Sequence, residues 1–291
     1  MSGQPSVGFV GLGTMGRPMA GRVLDAGFPL TVFDVNPANM ADLARSGATV
    51  ASSLGELARA CDVVMVAVVN DAQVRGVMDG DGGVLAAARP GTVVLVHSTV
   101  HPDLCGELTE AGAARGLVVL DAPMTGSPDA AARGALSMMV GGDKAATERV
   151  RPVLEAIATH VTHLGAAGSG QLAKIANNLA IAVTMRAIDE ALAFATSYSI
   201  DRETMLSLLV SGGADSWVAR NWSAIGGTTR NYPGGAKGLA DLTHKDVSLA
   251  LALAHRNDVA VPTAAVASQF LLDAYKSAQA SVATESPATL A

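Results

Sequence analysis

The sequence predicts an α/β protein with two parts: an N-terminal doubly wound, largely parallel sheet over residues 1–164, and an all-α half over 165–291 joined to it by one long helix. Three observations predict it. Up to residue 164, short β-branched runs alternate with amphipathic stretches, the pattern of repeated strand–helix units. Gly165-Ala-Ala-Gly-Ser-Gly170 is then a small-residue turn, and strand-like runs cease after it. Residues 172–198 follow with no internal Pro or Gly and read as one long helix.

In chain order, residues 6–11, 30–34, 63–68, 92–97, 117–121 and 137–140 are apolar runs of strand length. Between them, 15–26, 37–46, 74–78, 103–115 and 145–158 carry helix-like patterns. In the second half, 201–211 opens on an Asp cap, 217–225 and 243–256 are amphipathic, and 262–275 begins at Pro262, a residue suited to a helix start. Residues 1–6 read as a polar, flexible start and 277–291 as a loose tail.

Composition narrows the function. Of 291 residues, 20 are Lys or Arg and 26 Asp or Glu, a net charge of −6, so no basic stripe suggests nucleic acid as a partner. With 49% hydrophobic and 16% charged residues the chain packs as a globular protein. No apolar run approaches the roughly 20 residues of a membrane span, and no signal peptide is legible, so a cytoplasmic protein is expected. Two cysteines, Cys61 and Cys105, are too few for a disulfide framework and read as small buried hydrophobes. No cluster has metal-ligand spacing: His160 and His163 lie in an extended run and should face opposite ways.

The strongest chemical signal is Gly11-Leu12-Gly13-Thr14-Met15-Gly16, between a strand-like run and a helix start. In that context the first Gly makes a tight turn, the second lets a pyrophosphate approach the backbone, and the third lets helix and strand pack closely. The helix N-terminus adds free N–H groups and partial positive charge. Asp34, at the end of the second strand, is placed to accept from a ribose 2′-hydroxyl and to repel a 2′-phosphate, so NAD is expected as cofactor, with NADP the alternative. This is the Rossmann dinucleotide signature.

Two later segments fit a small carboxylate substrate. In residues 121–127 (DAPMTGS), a strand end leads into a loop that can hold a carboxylate through the Thr125 hydroxyl and backbone N–H groups. Lys174 and Asn178 lie one helical turn apart on the long helix, so they share a face; a lysine at a buried boundary suits proton transfer.

Together these residues resemble the β-hydroxyacid dehydrogenase family, which includes 3-hydroxyisobutyrate dehydrogenase and tartronate semialdehyde reductase. Four blocks carry the resemblance over nearly the whole chain: GLGTMGRPM (11–19), DAPMTGS (121–127), GSGQLAKIANN (168–178) and KDVSLA (245–250). The resemblance implies that Lys174 is the general acid/base and that Asn178 orients the substrate. It further implies that Thr125 and Gly126 hold the carboxylate, that Lys245 lies near nicotinamide or substrate, that Thr99 touches the nicotinamide side, and that Val68 lines the cofactor cleft. The sequence departs from the family pattern twice. Relatives usually read Ser-Gly-Gly where this chain has Thr125-Gly126-Ser127, and often carry a proline in the cleft-lining Val68-Val69 pair.

The remaining rare residues receive modest roles. Trp217 is expected to wall the substrate cleft and Trp222 to pack between domains or subunits, His97 to be a satisfied strand-end histidine, and His244 a solvated one at a helix start. The apolar helical half suggests a homo-dimer or homo-tetramer. Imine reduction is disfavoured by Lys174, and phosphogluconate oxidation by the scarcity of cations. A non-catalytic dinucleotide sensor has no use for the Lys174/Asn178 pair.

Overall fold

The computed structural model describes residues 4–80 and 82–283. The chain divides into two compact units, Met1–Lys174 and Ile175–Ala291.

In the first unit the elements run β1 (Val7–Val10), α1 (Gly16–Asp25), β2 (Leu30–Phe33), a 3₁₀ turn (Pro37–Met40), α2 (Ala41–Arg45), β3 (Thr49–Val50), α3 (Leu54–Ala60), β4 (Val63–Val66), α4 (Asp71–Met78), α5 (Val84–Ala87), β5 (Val93–Val96), α6 (Pro102–Ala113), β6 (Val118–Asp121), β7 (Met124–Thr125), α7 (Pro128–Ala132), β8 (Leu136–Val140), α8 (Lys144–Ile157) and β9 (Ala158–His163). The helix α9 (Ser169–Ser197) crosses from one unit to the other.

Six strands form one parallel sheet in the order β3-β2-β1-β4-β5-β6. The order reverses between β1 and β4, the switch point outside whose strand ends open α/β sheets bind ligands. Alternate residues feed two cores: Val63 and Met65 one, Val64 and Val66 the other. A sheet buried on both faces needs strands apolar at every position, which is why they read as continuous apolar runs. Residues 137–140 join a separate small sheet, β7-β8-β9, rather than the main one. It places His160 exposed on β9 and gives the half-buried His163 ring the Gly142 carbonyl as partner, at 2.8 Å. Cys61 and Cys105 are both buried, and burial pushes both thiols up from their ordinary value.

The second unit continues with α10 (Arg202–Ser211), α11 (Trp217–Arg220), α12 (Trp222–Asn231), α13 (Gly235–Arg256), α14 (Pro262–Ser268) and α15 (Leu271–Ala283). Its core gathers Met185, Ile188, Leu192, Trp222, Val247, Leu271 and Tyr275. Trp222 is buried, its indole N–H donating to Ser281 Oγ at 3.2 Å, so it packs inside this unit.

Several boundaries differ from the sequence reading. The stretch 217–225 breaks at Asn221, whose side-chain amide donates to the Trp217 carbonyl at 2.8 Å and so competes with the helical ladder. The helix expected from residue 243 begins at Gly235, and the one expected over 262–275 divides at Gln269 and Phe270. The expected loose tail is helical through 283, where buried Ala278 packs against Gly226 of α12; 284–291 lie outside the described residues. At the other end, residues 1–3 also lie outside them, but Ser6 is tied by its amide and hydroxyl to Asp62 Oδ2 at 2.9 and 2.7 Å.

Candidate active site

The sheet register sets Phe33, Val10, Val66, Val96 and Asp121 in one row across the C-terminal edge. The residues that leave this row carry most of the expected site: Asp34 after β2, Gly11 after β1, Val68 after β4, Ser98 and Thr99 after β5, and the loop 121–127 from β6.

At the glycine turn, each glycine has its own reason. Gly11 has φ +89°, and a Cβ there would meet the Ala67 carbonyl oxygen at 2.5 Å and Val68 Cγ1 at 3.0 Å. A Cβ on Gly16 would strike the Gly11 carbonyl, so helix and strand touch there. Gly13 is exposed, and a Cβ there would meet nothing within 4 Å, leaving the backbone open to an approaching group. No side chain caps the first turn of α1. An open glycine at an uncapped helix N-terminus suits a pyrophosphate. Leu12 turns its side chain into the core and Met15 packs against it, while Thr14 is exposed. These three therefore offer a cofactor mainly backbone, and the Leu12 N–H is already donated to Asp34 Oδ2 at 2.6 Å. Asp34 Oδ1 accepts from Asn36 N at 2.8 Å and Asn39 Nδ2 at 3.1 Å. The carboxylate thus pins the glycine turn to the end of β2, placing negative charge where the ribose hydroxyls of NAD would need an acceptor.

The next two strand ends are bonded together. Val68 N donates to Ser98 Oγ at 2.9 Å, and buried Gln171 spans the segment after β5, accepting from Val100 N at 3.1 Å and donating to the Ser98 carbonyl at 2.9 Å. Half-buried Thr99 is held between those two attachments. His97 lies beneath, 2% exposed and stacked on Phe9 with ring centroids 6.4 Å apart. Its Nδ1 lies 2.7 Å from the Ala122 carbonyl, which fixes the proton on Nδ1, and burial lowers its pKa to about 4. It is a satisfied strand-end histidine on that nitrogen; Nε2 is buried without a hydrogen-bond partner.

The loop 121–127 is fastened at nearly every step. Ala122 N donates to the Val96 carbonyl at 2.9 Å, Met139 N to the Pro123 carbonyl at 3.0 Å, and Thr125 pairs with Ser137. Gly126 has φ +140°, and a Cβ there would press on Leu136 Cδ2 at 2.6 Å. Ser127 Oγ accepts from Ala130 N at 3.1 Å, capping α7.

Lys174, half-buried, stands in the second turn of α9, with Asn178 one turn beyond on the same uninterrupted helix. Within the second unit, Asn178 Nδ2 donates to Asp246 Oδ2 at 2.7 Å, and Lys245 Nζ lies 2.7 Å from Asp246 Oδ1. A buried carboxylate therefore gathers two expected site residues, and Asp246 was not among the residues singled out from the sequence, although it stands inside the KDVSLA block. Gln171 and Ser98 were likewise missed; a buried Gln inside an apolar helix pattern was the available signal. Trp217 is about half exposed at the start of α11, and His244 is exposed inside α13 rather than at its start. Among the described residues no helix is long and apolar enough to cross a membrane.

Residues 6–165 match the family model described as the NAD binding domain of 6-phosphogluconate dehydrogenase, and 168–288 match NAD-binding of NADP-dependent 3-hydroxyisobutyrate dehydrogenase. The chain is 34% identical over 263 residues to 2-(hydroxymethyl)glutarate dehydrogenase of Eubacterium barkeri, covering 90% of this chain and 87% of the relative. It is 35% identical over 267 residues to the NAD-dependent L-serine dehydrogenase of Pseudomonas aeruginosa, covering 90% and 89%. Among solved structures, 3-hydroxyisobutyrate dehydrogenase from Salmonella typhimurium superposes with a TM-score of 0.83 at 32% identity, covering 96% of this chain and 99% of that one.

Proposed function

The chain belongs to the β-hydroxyacid dehydrogenase family, NAD(P)-linked oxidoreductases acting on the CH–OH group of hydroxy acids, and from that premise we propose that it interconverts a small 3-hydroxy acid and its semialdehyde, with NAD as cofactor and Lys174 as general acid/base. The observation that carries this reading is the uninterrupted helix α9, which presents Lys174 and Asn178 one turn apart. The names of the three relatives share one chemical unit, a hydroxymethyl group on the carbon that bears a carboxylate. The loop 121–127 suits the carboxylate of that unit, and a lysine suits its hydroxyl.

When bound, the nicotinamide supplies only a hydride acceptor or donor. This chain's own residues do the rest. Thr125 Oγ and the Gly126 amide hold the carboxylate, which fixes how far the carbinol carbon stands from it. In oxidation, neutral Lys174 Nζ takes the hydroxyl proton; in reduction, the ammonium returns it to the forming alkoxide. Asn178, steadied by Asp246, orients the same oxygen, while Lys245 adds positive charge near the reacting groups. Val68 and Thr99 line the nicotinamide side. Positioned acid/base help is worth roughly 10²–10⁴-fold. Asp34 favours NAD because a 2′-phosphate would meet a carboxylate there. Ser127 and Trp217 complete the substrate side, the former through the α7 turn it caps. Exposed Phe194 and Tyr198, with ring centroids 5.2 Å apart near the end of α9, support a homo-oligomer, to be checked by light scattering.

The test follows nicotinamide absorbance with NAD and NADP across 3-hydroxyisobutyrate, L-serine, 2-(hydroxymethyl)glutarate and 3-hydroxypropionate. Turnover of at least one, with NAD preferred, is expected, and Lys174→Ala should lower kcat by about 10²–10⁴-fold with NADH binding intact. A variant as fast as the parent would remove Lys174 from the chemistry. No turnover of any of the four, with NADH still bound, would remove the substrate class.

A further inference from the structure

Asp121 ends β6 and opens the loop 121–127, yet its side chain belongs to another element. It is 1% exposed, and its two oxygens divide between two backbone amides at the start of α9: Oδ1 accepts from Gly168 N at 2.7 Å and Oδ2 from Gln171 N at 3.0 Å. The fit leaves no slack. A Cβ on Gly141 would stand 2.6 Å from Oδ1, and one on Gly170 would stand 2.7 Å from Oδ2. The Asp121 backbone is fastened as firmly, exchanging hydrogen bonds with Gly141 at 2.8 and 3.2 Å. Burial raises the carboxyl's pKa and the amides oppose that rise, so the group is costly to place and is retained with its hydrogen bonds made.

One side chain therefore joins the two parts that the proposed chemistry must hold at a set distance. From Asp121 the loop runs through bonded positions to Thr125, where the substrate carboxylate would sit. From the amides that Asp121 holds, the helix runs three residues past Gln171 to Lys174. We propose that Asp121 is a positioning residue that fixes the spacing between the carboxylate-holding loop and the proton-transferring lysine, and so selects the chain length of the hydroxy acid. This rests on the roles given above to Thr125 and Lys174. Two bonds to amides three residues apart fix both the advance and the rotation of the first helical turn, which a single cap would not. The selected unit is then one carbon between carboxylate and carbinol.

Three variants test it from both sides of the joint. Asp121→Asn turns an N–H₂ toward one of the two amides. Asp121→Glu lengthens the tether by a methylene. Gly170→Ala leaves Asp121 in place and adds a methyl that would press on both the Met139 carbonyl and Asp121 Oδ2, so that the start of α9 must move off the joint. For each, kcat and KM are measured with 3-hydroxypropionate and with 4-hydroxybutyrate, alongside NADH binding by fluorescence. A misplacement near 1 Å costs about 10²-fold in rate, so kcat on the 3-hydroxy acid should fall by about that factor. NADH affinity should stay within about threefold, and preference for the shorter acid should shrink by about tenfold or more. Equal losses on both acids, or an unchanged preference, would overturn the positioning role. So would loss of NADH binding in all three variants, which would make Asp121 a general structural residue. Failure of the wild-type protein to turn over any 3-hydroxy acid while binding NADH would instead sink the substrate reading itself.

Discussion

At Asp34 a single carboxylate closes the glycine turn through Leu12 N and leaves negative charge at the end of β2. A hydrogen bond to a charged group is worth about 1.5–3 kcal/mol. Asp34→Ser should therefore lower kcat/KM with NAD by about tenfold or more and bring the NAD and NADP values together; an unchanged ratio in steady-state assays would take Asp34 out of cofactor choice. His97 makes a prediction about pH. Its imidazole is pushed from an ordinary 6.5 down to about 4, so between those values the unfolded chain binds a proton that the folded chain refuses. Its contribution is thus complete above pH 6.5 and is lost as pH falls toward 4, by about 3 kcal/mol. Asp121, with its pKa raised, acts in the opposite sense: its ionisation costs stability as pH rises above the ordinary carboxyl value. Comparison with His97→Asn isolates the first effect, since the amide keeps a donor for the Ala122 carbonyl without titrating. Urea midpoints at pH 7, 5.5 and 4.5 should converge for the two proteins as pH falls, and parallel curves would refute the assignment.

Between elements, the glycines of the β1–α1 turn separate packing from binding. Gly16→Ala drives a methyl into the Gly11 carbonyl and should cost about 1–3 kcal/mol of stability. Gly13→Ala meets nothing and should leave stability within about 0.5 kcal/mol while weakening NAD binding, because its methyl would take the pyrophosphate's space; titration calorimetry and melting curves read the two effects apart. β1, β4 and β5 were legible in the sequence because burial on both faces leaves them no polar side chain. Segments without that constraint were not. β3 is two exposed residues, β7 is two half-buried ones, and neither can show alternation. α3 went unread although its cap is local: Glu56 N donates to Ser53 Oγ at 3.2 Å, and the Glu56 carboxylate returns to Ser52 N at 2.7 Å. α13 starts eight residues before the expected 243, at Gly235, and Gly238 stands in its first turn where a Cβ would strike the Pro233 carbonyl. At the site, the blocks 11–19, 121–127 and 168–178 displayed the groups to which ligand roles are proposed. The groups that hold those in place, Asp246, Gln171 and Ser98, are defined by partners distant in sequence, such as the 68 positions from Asn178 to Asp246, and no local pattern displays them.

For the whole molecule, two compact units with separate cores imply that each stability change reports first on its own core. Gly226→Ala shows this in the second unit: its methyl would collide with the Ala278 carbonyl and part α12 from α15. A loss of about 2 kcal/mol or more is expected by differential scanning calorimetry. NAD, whose expected contacts lie mainly in the first unit, should protect that unit, by about 2.7 kcal/mol at a hundredfold excess over Kd.

The chain also carries its own means of telling these units apart. Both cysteines, Cys61 and Cys105, fall within Met1–Lys174 and are buried there, while both tryptophans, Trp217 and Trp222, fall within Ile175–Ala291. A thiol reagent added to the unmodified protein therefore acts as a clock on opening of the sheet, and indole emission follows the helices, with no label introduced. Heating that quickens thiol labelling before the emission shifts would mean that the sheet opens first; coincident traces would mean that the two units melt as one.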